Sequence, residues 1–192
     1  MSSQRWGLLA LVLVALGLSL AYGVTRGQPS TTSADLGPLQ RQARLEPCPT
    51  GLGPAFPDIR LPCLGGGPKV SLTAPGPALP TLVNVYGSWC GPCQQEMPLL
   101  AQKAQQHAGS GLQILGVLSD DTADNGRAFE TKYGASWPSV FDTGNAFKQA
   151  YHVLGRPQSY FVDKDGILRS IQVGYLTDAD FERQFAMISG GG

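Results

Sequence analysis

The sequence predicts an α/β domain in which a mixed β-sheet is covered by helices on both faces. Short apolar segments alternate with segments of helical periodicity between residues 81 and 151. A hairpin turn at Asp165-Gly166 then joins two further strands, and a helical segment follows them. Ahead of these elements, residues 58–72 predict an N-terminal β-hairpin around the glycine- and proline-containing segment 65–68.

The individual elements follow from periodicity, turn residues and caps. Strands are predicted at residues 82–86, 112–118, 139–141, 159–162 and 167–173. Helices are predicted at residues 94–107, from Asp121 or Thr122 to Tyr133, at 145–151, and after a cap at Thr177. Pro98 lies inside the first of these helices and should kink it.

Length and charge limit the classes of protein to consider. The chain has 192 residues, with 14 Lys and Arg against 14 Asp and Glu, so its formal net charge is zero. No basic field for nucleic acid is therefore expected. The length suits one domain with appendages, and we place that domain at residues 45–189.

The N-terminal segment has the composition of a membrane anchor or signal peptide. Residues 7–24 form an uncharged apolar run behind a short cytoplasmic stub, residues 1–6. We favour an uncleaved transmembrane anchor over cleavage near Ser19-Leu20-Ala21, and either interpretation places the later residues outside the cytoplasm. Residues 25–44 are polar and are interpreted as a flexible linker to the domain.

Cys90 and Cys93 carry the most specific functional signal. They stand in the sequence Trp-Cys-Gly-Pro-Cys between a predicted strand and a predicted helix. Unpaired amide groups and the dipole at a helix N-terminus stabilise a thiolate, which is the form that attacks disulfides. We expect Cys90 to be the exposed nucleophile and Cys93 the shielded resolving thiol. A zinc ribbon would need a second such pair and a haem site a histidine in place of Gln94, so no metal or cofactor is expected.

Cys48 and Cys63 remain once the reactive pair is assigned. Their pairing is the simplest of the three that four cysteines allow. It would close a loop of about 16 residues and add ~3 kcal/mol of stability. We favour a structural disulfide, and a free pair or a second redox couple that exchanges electrons with Cys90 and Cys93 are the alternatives.

The chain resembles thioredoxin-fold proteins, and more narrowly the membrane-tethered thiol–disulfide oxidoreductases of the TlpA/ResA type. The resemblance covers about residues 56–189. It rests on LVNVYGSWCGPC at 82–93, EMP at 96–98, GRP at 155–157 and YFVDKDG at 160–166. It implies a thioredoxin fold with an N-terminal β-hairpin extension.

The resemblance also implies roles for two residues around the cysteines. Pro157 would be a cis-proline facing the disulfide, with an ordinary trans-proline at a strand start as the alternative. Thioredoxins carry a buried acid where this chain has Asn84, which cannot exchange a proton. Glu96 would then serve as the proton relay for Cys93, unless it is simply a solvated glutamate.

Trp89 and Arg156 are candidate substrate-binding residues beside the cysteines. Trp89 is expected to shield the disulfide and form part of a platform for the partner protein. Arg156 departs from the apolar or small residue that the family often has here. Its charge would favour the Cys90 thiolate or select an acidic partner surface, with a solvated arginine as the alternative. Trp137 is expected to pack in the core.

Together these observations predict an extracytoplasmic enzyme that reduces protein disulfides through a mixed disulfide on Cys90. Its partners would be protein dithiol or disulfide clients and a membrane electron donor or acceptor. Cytochrome c maturation is one process that the resemblance implies. The alternatives are a disulfide-forming oxidant or isomerase for secreted proteins and a non-catalytic thioredoxin-like binding module.

Overall fold

The computed structural model describes residues 48–49, 51, 58–72 and 78–190. The predictions for the stub, the membrane segment and the linker fall on residues 1–44 and lie outside the described residues. In the described ranges, no helix combines the length and the apolar character that crossing a membrane requires.

A five-stranded mixed sheet forms the centre of the described part of the chain. Its strands are β3 (Thr81–Tyr86), β4 (Gln113–Leu118), β5 (Ser139–Phe141), β6 (Gln158–Val162) and β7 (Leu168–Val173). They lie in the order β5-β4-β3-β6-β7, where β4 is parallel to β3 and β6 is antiparallel to it. The predicted strands are confirmed to within about one residue at each end.

The predicted N-terminal hairpin is present as a separate two-stranded antiparallel sheet. Its strands, β1 (Arg60–Leu61) and β2 (Val70–Ser71), have only two residues each. Residues 62–64, just after β1, run along the outer edge of β5. There Leu64 N donates to Ser139 O at 2.7 Å, and Phe141 N donates to Pro62 O at 2.9 Å. This segment covers backbone groups that an exposed edge strand would leave unpaired.

Four α-helices occur among the described residues, close to their predicted positions. Thr122 and Thr177 cap two of them, and Asp180 completes a capping box with Thr177. The first helix begins at Gly91, before the predicted residue 94, and continues through Pro98. The helices are α1 (Gly91–Gln106), α2 (Ala123–Tyr133), α3 (Ala146–Ala150) and α4 (Asp178–Ser189).

The two faces of the sheet pack against different elements. Alternating side chains of β3 point to opposite faces, so Leu82 and Val83 belong to different apolar clusters. Helices α1, α2 and α4 cover one face, and the hairpin and α3 cover the other. The first cluster includes Met97, Leu100, Phe129, Phe181 and Phe185, and the second includes Leu61, Leu72, Val117, Phe147 and Tyr160.

A disulfide joins Cys48 to Cys63, with 5.9 Å between the two Cα atoms. Cys63 also forms a β-bridge with Val140 of the edge strand β5. The bond therefore ties the chain ahead of the hairpin to the segment that covers the sheet edge.

Replacing both Cys48 and Cys63 with serine should lower the free energy of unfolding by about 3 kcal/mol, because the 15-residue cross-link no longer restricts the unfolded chain. Urea denaturation measures the change. The matched control replaces both cysteines with alanine. It lacks the cross-link too but buries no hydroxyl at residue 63, so it separates the two effects. Unchanged stability in both double variants would contradict a structural role.

Candidate active site

The Cys90–Cys93 disulfide lies where the central strand β3 leads into helix α1. The two Cα atoms are 5.2 Å apart. Cys90 is the N-cap residue of α1, and its Sγ accepts a hydrogen bond from Cys93 N at 3.2 Å. The helix N-terminus thus directs an amide N–H at the sulfur of Cys90. The same arrangement would stabilise a thiolate there once the disulfide opens.

The prediction that Cys90 is exposed is wrong for the disulfide form. Cys90 is 4% exposed and Cys93 is 1% exposed. Both belong to the apolar cluster on the α1 face, which also contains Tyr86 and Met97. In contrast, Trp89 is 59% exposed, so the indole beside the disulfide faces solvent while the sulfurs are packed.

Glu96 is buried, and each of its carboxyl oxygens accepts a hydrogen bond from an amide group of a different part of the fold. Its Oε1 accepts from Asn84 Nδ2 of β3 at 2.7 Å, and its Oε2 accepts from Leu176 N, just ahead of α4, at 2.7 Å. Asn84 Nδ2 also donates to Ser159 Oγ of β6 at 3.0 Å. Glu96 is 1% exposed, so the alternative of a solvated glutamate is wrong.

Burial raises the pKa of the Glu96 carboxyl to about 7, although the hydrogen bonds from Leu176 N and Asn84 oppose the shift. A carboxyl group with this pKa exchanges its proton near neutral pH. It lies one helical turn after Cys93 on α1. The geometry therefore suits the proton relay that the sequence predicts for Glu96.

The peptide bond between Arg156 and Pro157 is cis. Pro157 is buried, and its carbonyl accepts from Gly174 N at 2.8 Å. It directly precedes β6, whose Gln158 pairs with Val85 of β3. The antiparallel register thus places Pro157 at the end of β3 from which the chain continues into Cys90.

Arg156 is not a solvated arginine. Its side chain is 8% exposed, and its Nη2 donates to Ser119 Oγ and to Asp120 Oδ2, both at 2.7 Å. Its guanidinium lies over the ring of Trp89, 5.7 Å from the centroid. The two predicted substrate-binding residues are therefore in contact with each other.

The sequence reasoning missed the acidic loop that follows β4. Asp121 Oδ2 accepts from Ser88 N at 2.6 Å, and Asp120 O accepts from Trp89 Nε1 at 3.0 Å. The hydrogen bond with Lys148, and further the charge of Arg156, hold the pKa of Asp120 below its usual range. The available signal was topological, since the carboxyl ends of adjacent parallel strands lie at the same edge of a sheet.

A second buried carboxyl group, Glu130 of α2, was also missed. Its Oε1 accepts hydrogen bonds from Ser139 Oγ and, at 2.7 Å, from Tyr86 OH. Burial raises the pKa of Glu130 to about 7, against the effect of these hydrogen bonds. Ser139 also lies close to Gly116 of β4, where a Cβ would be 2.2 Å from Ser139 Oγ. A glycine inside a strand signals such a close approach, but no sequence signal pointed to Glu130 itself.

Trp137 and the two histidines of the chain lie outside the group of residues around the disulfide. Trp137 is 4% exposed and packs in the core, as predicted. His107 ends α1 and contacts Glu182 and Phe185, while His152 is exposed. Within the described ranges, no group of three or more His, Cys, Asp or Glu is placed to hold a metal ion.

The fold and the site together define a class of protein. A central strand that leads into a Cys-x-x-Cys helix, within a sheet of order β5-β4-β3-β6-β7, is the arrangement of a thioredoxin-fold protein. The chain belongs to the AhpC/TSA family, whose family model matches residues 52–171. The predicted fold and the predicted resemblance to proteins of the ResA type are confirmed.

Individual relatives support the narrower resemblance. The chain is 30% identical to thiol-disulfide oxidoreductase ResA of Geobacillus kaustophilus (strain HTA426) over 106 residues, which cover 55% of this chain and 61% of that relative. It is 29% identical to thioredoxin-like protein YneN of Bacillus subtilis (strain 168) over 135 residues, 69% of this chain and 77% of YneN. A solved structure of a putative thiol:disulfide interchange protein DsbE from Chlorobium tepidum is 28% identical, with a TM-score of 0.62, and covers 70% of this chain and 94% of its own.

Proposed function

We propose that the protein is an extracytoplasmic thiol–disulfide oxidoreductase that reduces disulfides of client proteins through Cys90 and Cys93. The observation that carries the proposal is the Cys90–Cys93 disulfide at the N-terminus of α1, with the cis-proline at residue 157 placed by the β3–β6 register at the same end of β3. The names of the relatives, thiol-disulfide oxidoreductase and thiol:disulfide interchange protein, support it.

The reaction begins from the dithiol form. The Cys90 thiolate attacks one sulfur of the client disulfide, which forms a mixed disulfide and releases the other client sulfur as a thiolate. The Cys93 thiolate then attacks Cys90 Sγ, closes the Cys90–Cys93 disulfide and releases the second client thiolate. Two electrons have passed to the client, whose two thiolates take up protons. A membrane electron donor would restore the dithiol.

Glu96 assists the second step by accepting the proton of the Cys93 thiol. Its pKa of about 7 makes it available as a base at the pH at which the enzyme would operate. Asn84 cannot accept that proton and instead holds the carboxylate in place through its amide. Trp89 and Arg156 form the wall that the client meets next to Cys90.

The Cys48–Cys63 disulfide supports an oxidising location, because such bonds persist mainly outside the reducing cytoplasm. The sequence of residues 7–24 agrees with this location through the predicted membrane anchor. In such a compartment a reductase needs electrons from a membrane partner. Clients with paired cysteines, such as an apocytochrome c during maturation, fit this reaction.

Oxidation of client dithiols is the second candidate function. Arg156, in contact with the residue before Cys90, supports it, because a nearby positive charge favours the thiolate and so the reduced enzyme. Isomerisation of client disulfides uses the same site. A non-catalytic binding module is disfavoured by the intact pair of Cys90 and Cys93.

Replacing Cys93 with serine should stall the reaction after the first attack, because no thiol remains to resolve the mixed disulfide. Covalent adducts through Cys90 should accumulate in cells and be released by dithiothreitol, and mass spectrometry would identify the clients. The wild type should accelerate insulin reduction by dithiothreitol, whereas Cys90→Ser should not. A wild type without insulin-reducing activity would remove the proposed function.

Replacing Glu96 with glutamine should slow insulin reduction above pH 7 and remove an inflection near pH 7 from the pH–rate profile. The sign follows from the raised pKa, since the carboxylate base forms as the pH rises through about 7. Rates measured between pH 6 and 9 test this. The matched control is Glu130→Gln, which removes the other buried carboxyl group with a pKa of about 7. An inflection that survives in Glu96→Gln would contradict the relay.

Equilibration of the Cys90–Cys93 pair with glutathione buffers should give a reduction potential below about −150 mV, as expected of a reductase. The fraction of oxidised protein can be followed by thiol alkylation and gel shift. The Cys48→Ser/Cys63→Ser variant ensures that only one pair titrates. A potential above this value would favour the disulfide-forming oxidant.

A further inference from the structure

Asp120 links three loops that surround the Cys90–Cys93 disulfide. It follows β4, whereas Trp89 precedes the disulfide and Arg156 precedes the cis-proline. Its carboxylate accepts from Arg156 Nη2, and its carbonyl accepts from Trp89 Nε1. No other residue in the described part of the chain is recorded with hydrogen bonds to both of these side chains.

The backbone of Asp120 is set for this double role. Its φ is +53°, in the left-handed region that Asp and Asn tolerate better than most residues. In this conformation the carbonyl binds the indole of Trp89 while the carboxylate binds the guanidinium of Arg156. A substitution of Asp120 therefore removes the contact of its carboxylate with Arg156 and leaves the backbone carbonyl that binds Trp89.

Buried residues hold the other side of the Arg156 guanidinium. Ser119, which is 0% exposed, accepts from Arg156 Nη2 at 2.7 Å and donates to Asp142 Oδ2 at 3.3 Å. Asp142 in turn accepts from Phe147 N at 2.8 Å and from Lys148 N at 3.0 Å in α3. Arg156 is therefore held, through Ser119 and Asp142, by the buried start of α3.

Asp120 supplies the charged part of the contact with Arg156. Both recorded hydrogen bonds of the guanidinium leave from Nη2, and its Nε is buried without a partner in the structure. Lys148 Nζ shares the same carboxylate oxygen at 2.6 Å but makes no recorded contact with Trp89 or Arg156. Without the Asp120 side chain, Arg156 would keep only one of these two hydrogen bonds, the one to the hydroxyl of Ser119.

We propose that Asp120 is a positioning residue for client docking: by holding Arg156 beneath the indole of Trp89, it fixes the wall that a protein disulfide meets when it approaches Cys90. The inference rests on the proposed reduction of client disulfides. It adds that Asp120 contributes to the preference of the enzyme for protein disulfides over small ones. A small disulfide reaches Cys90 without spanning this wall and does not depend on it.

The test compares a protein substrate with a small neutral one. Asp120→Gly removes the carboxylate without a backbone penalty at positive φ. It should raise KM for insulin about tenfold, because charge-assisted hydrogen bonds are the strong ones. The rate with bis(2-hydroxyethyl) disulfide should change less than about twofold. Asp120→Asn keeps the shape and tolerates the same φ, so it should give a smaller rise and also serves if the glycine variant fails to fold.

Lys148→Met is the matched control, because it removes the other cation on the same carboxylate and should leave the insulin KM within about twofold of wild type. Equal losses on insulin and on the small disulfide would overturn the inference in favour of a general structural role. So would an unchanged insulin KM in an active Asp120→Gly enzyme. A wild type that reduces neither substrate would instead remove the proposed function, so the two failures are distinguishable.

Discussion

A buried carboxyl group holds together the elements that carry the disulfide. Glu96 of α1 is bound by Asn84 of β3 and by the backbone ahead of α4, and Asn84 also reaches β6 through Ser159. The helix that bears Cys93 is thus fixed to the central strand, to the neighbouring strand and to the start of the last helix. Transfer of a carboxyl group from water to this interior is unfavourable unless its oxygens are hydrogen-bonded, and here both are. Glu96 thus adds polar contacts from α1 to the sheet and to the segment ahead of α4, beside the apolar cluster on this face.

The pairing of Asn84 with Glu96 has an electrostatic reason. An acid at residue 84 would place two carboxyl groups at the 2.7 Å separation that now joins the Asn84 amide to Glu96 Oε1, and the two could not both ionise. An amide avoids this repulsion and donates to Glu96 and Ser159 together. A single titratable group with a pKa of about 7 is left next to the cysteines. With the acid at Glu96 of the helix and an amide at Asn84 of the strand, the site keeps one proton-exchanging group, and the Asn84 amide orients it.

The sequence was informative where a pattern repeats along the chain and uninformative where contacts join distant segments. The strands and caps were predicted because apolar runs, Thr177 and similar signals act within a few residues. The burial of Arg156 was not predictable in this way, since its partner Asp120 lies 36 residues away. Glu96 was identified through family resemblance, but its contact with Leu176 spans 80 residues. The error about Cys90 has the same origin, because the apolar cluster in which Cys90 is buried includes Phe161 and Leu176, which are distant in sequence.

The burial of Cys90 constrains how a protein partner can reach it. A sulfur of the partner must approach the sulfur of Cys90, yet Cys90 is 4% exposed while the adjacent Trp89 is 59% exposed. A protein surface therefore contacts the indole before it contacts the sulfur, and the orientation of that ring affects how the protein docks. The carbonyl of Asp120 binds the indole of Trp89 and its carboxylate binds Arg156. In the proposed reaction, the loop after β4 thus guides the approach of a client to a disulfide to which the loop contributes no sulfur. On this proposal the electron and proton transfers belong to Cys90, Cys93 and Glu96, whereas selection among client disulfides belongs to Trp89 and Arg156 as Asp120 holds them.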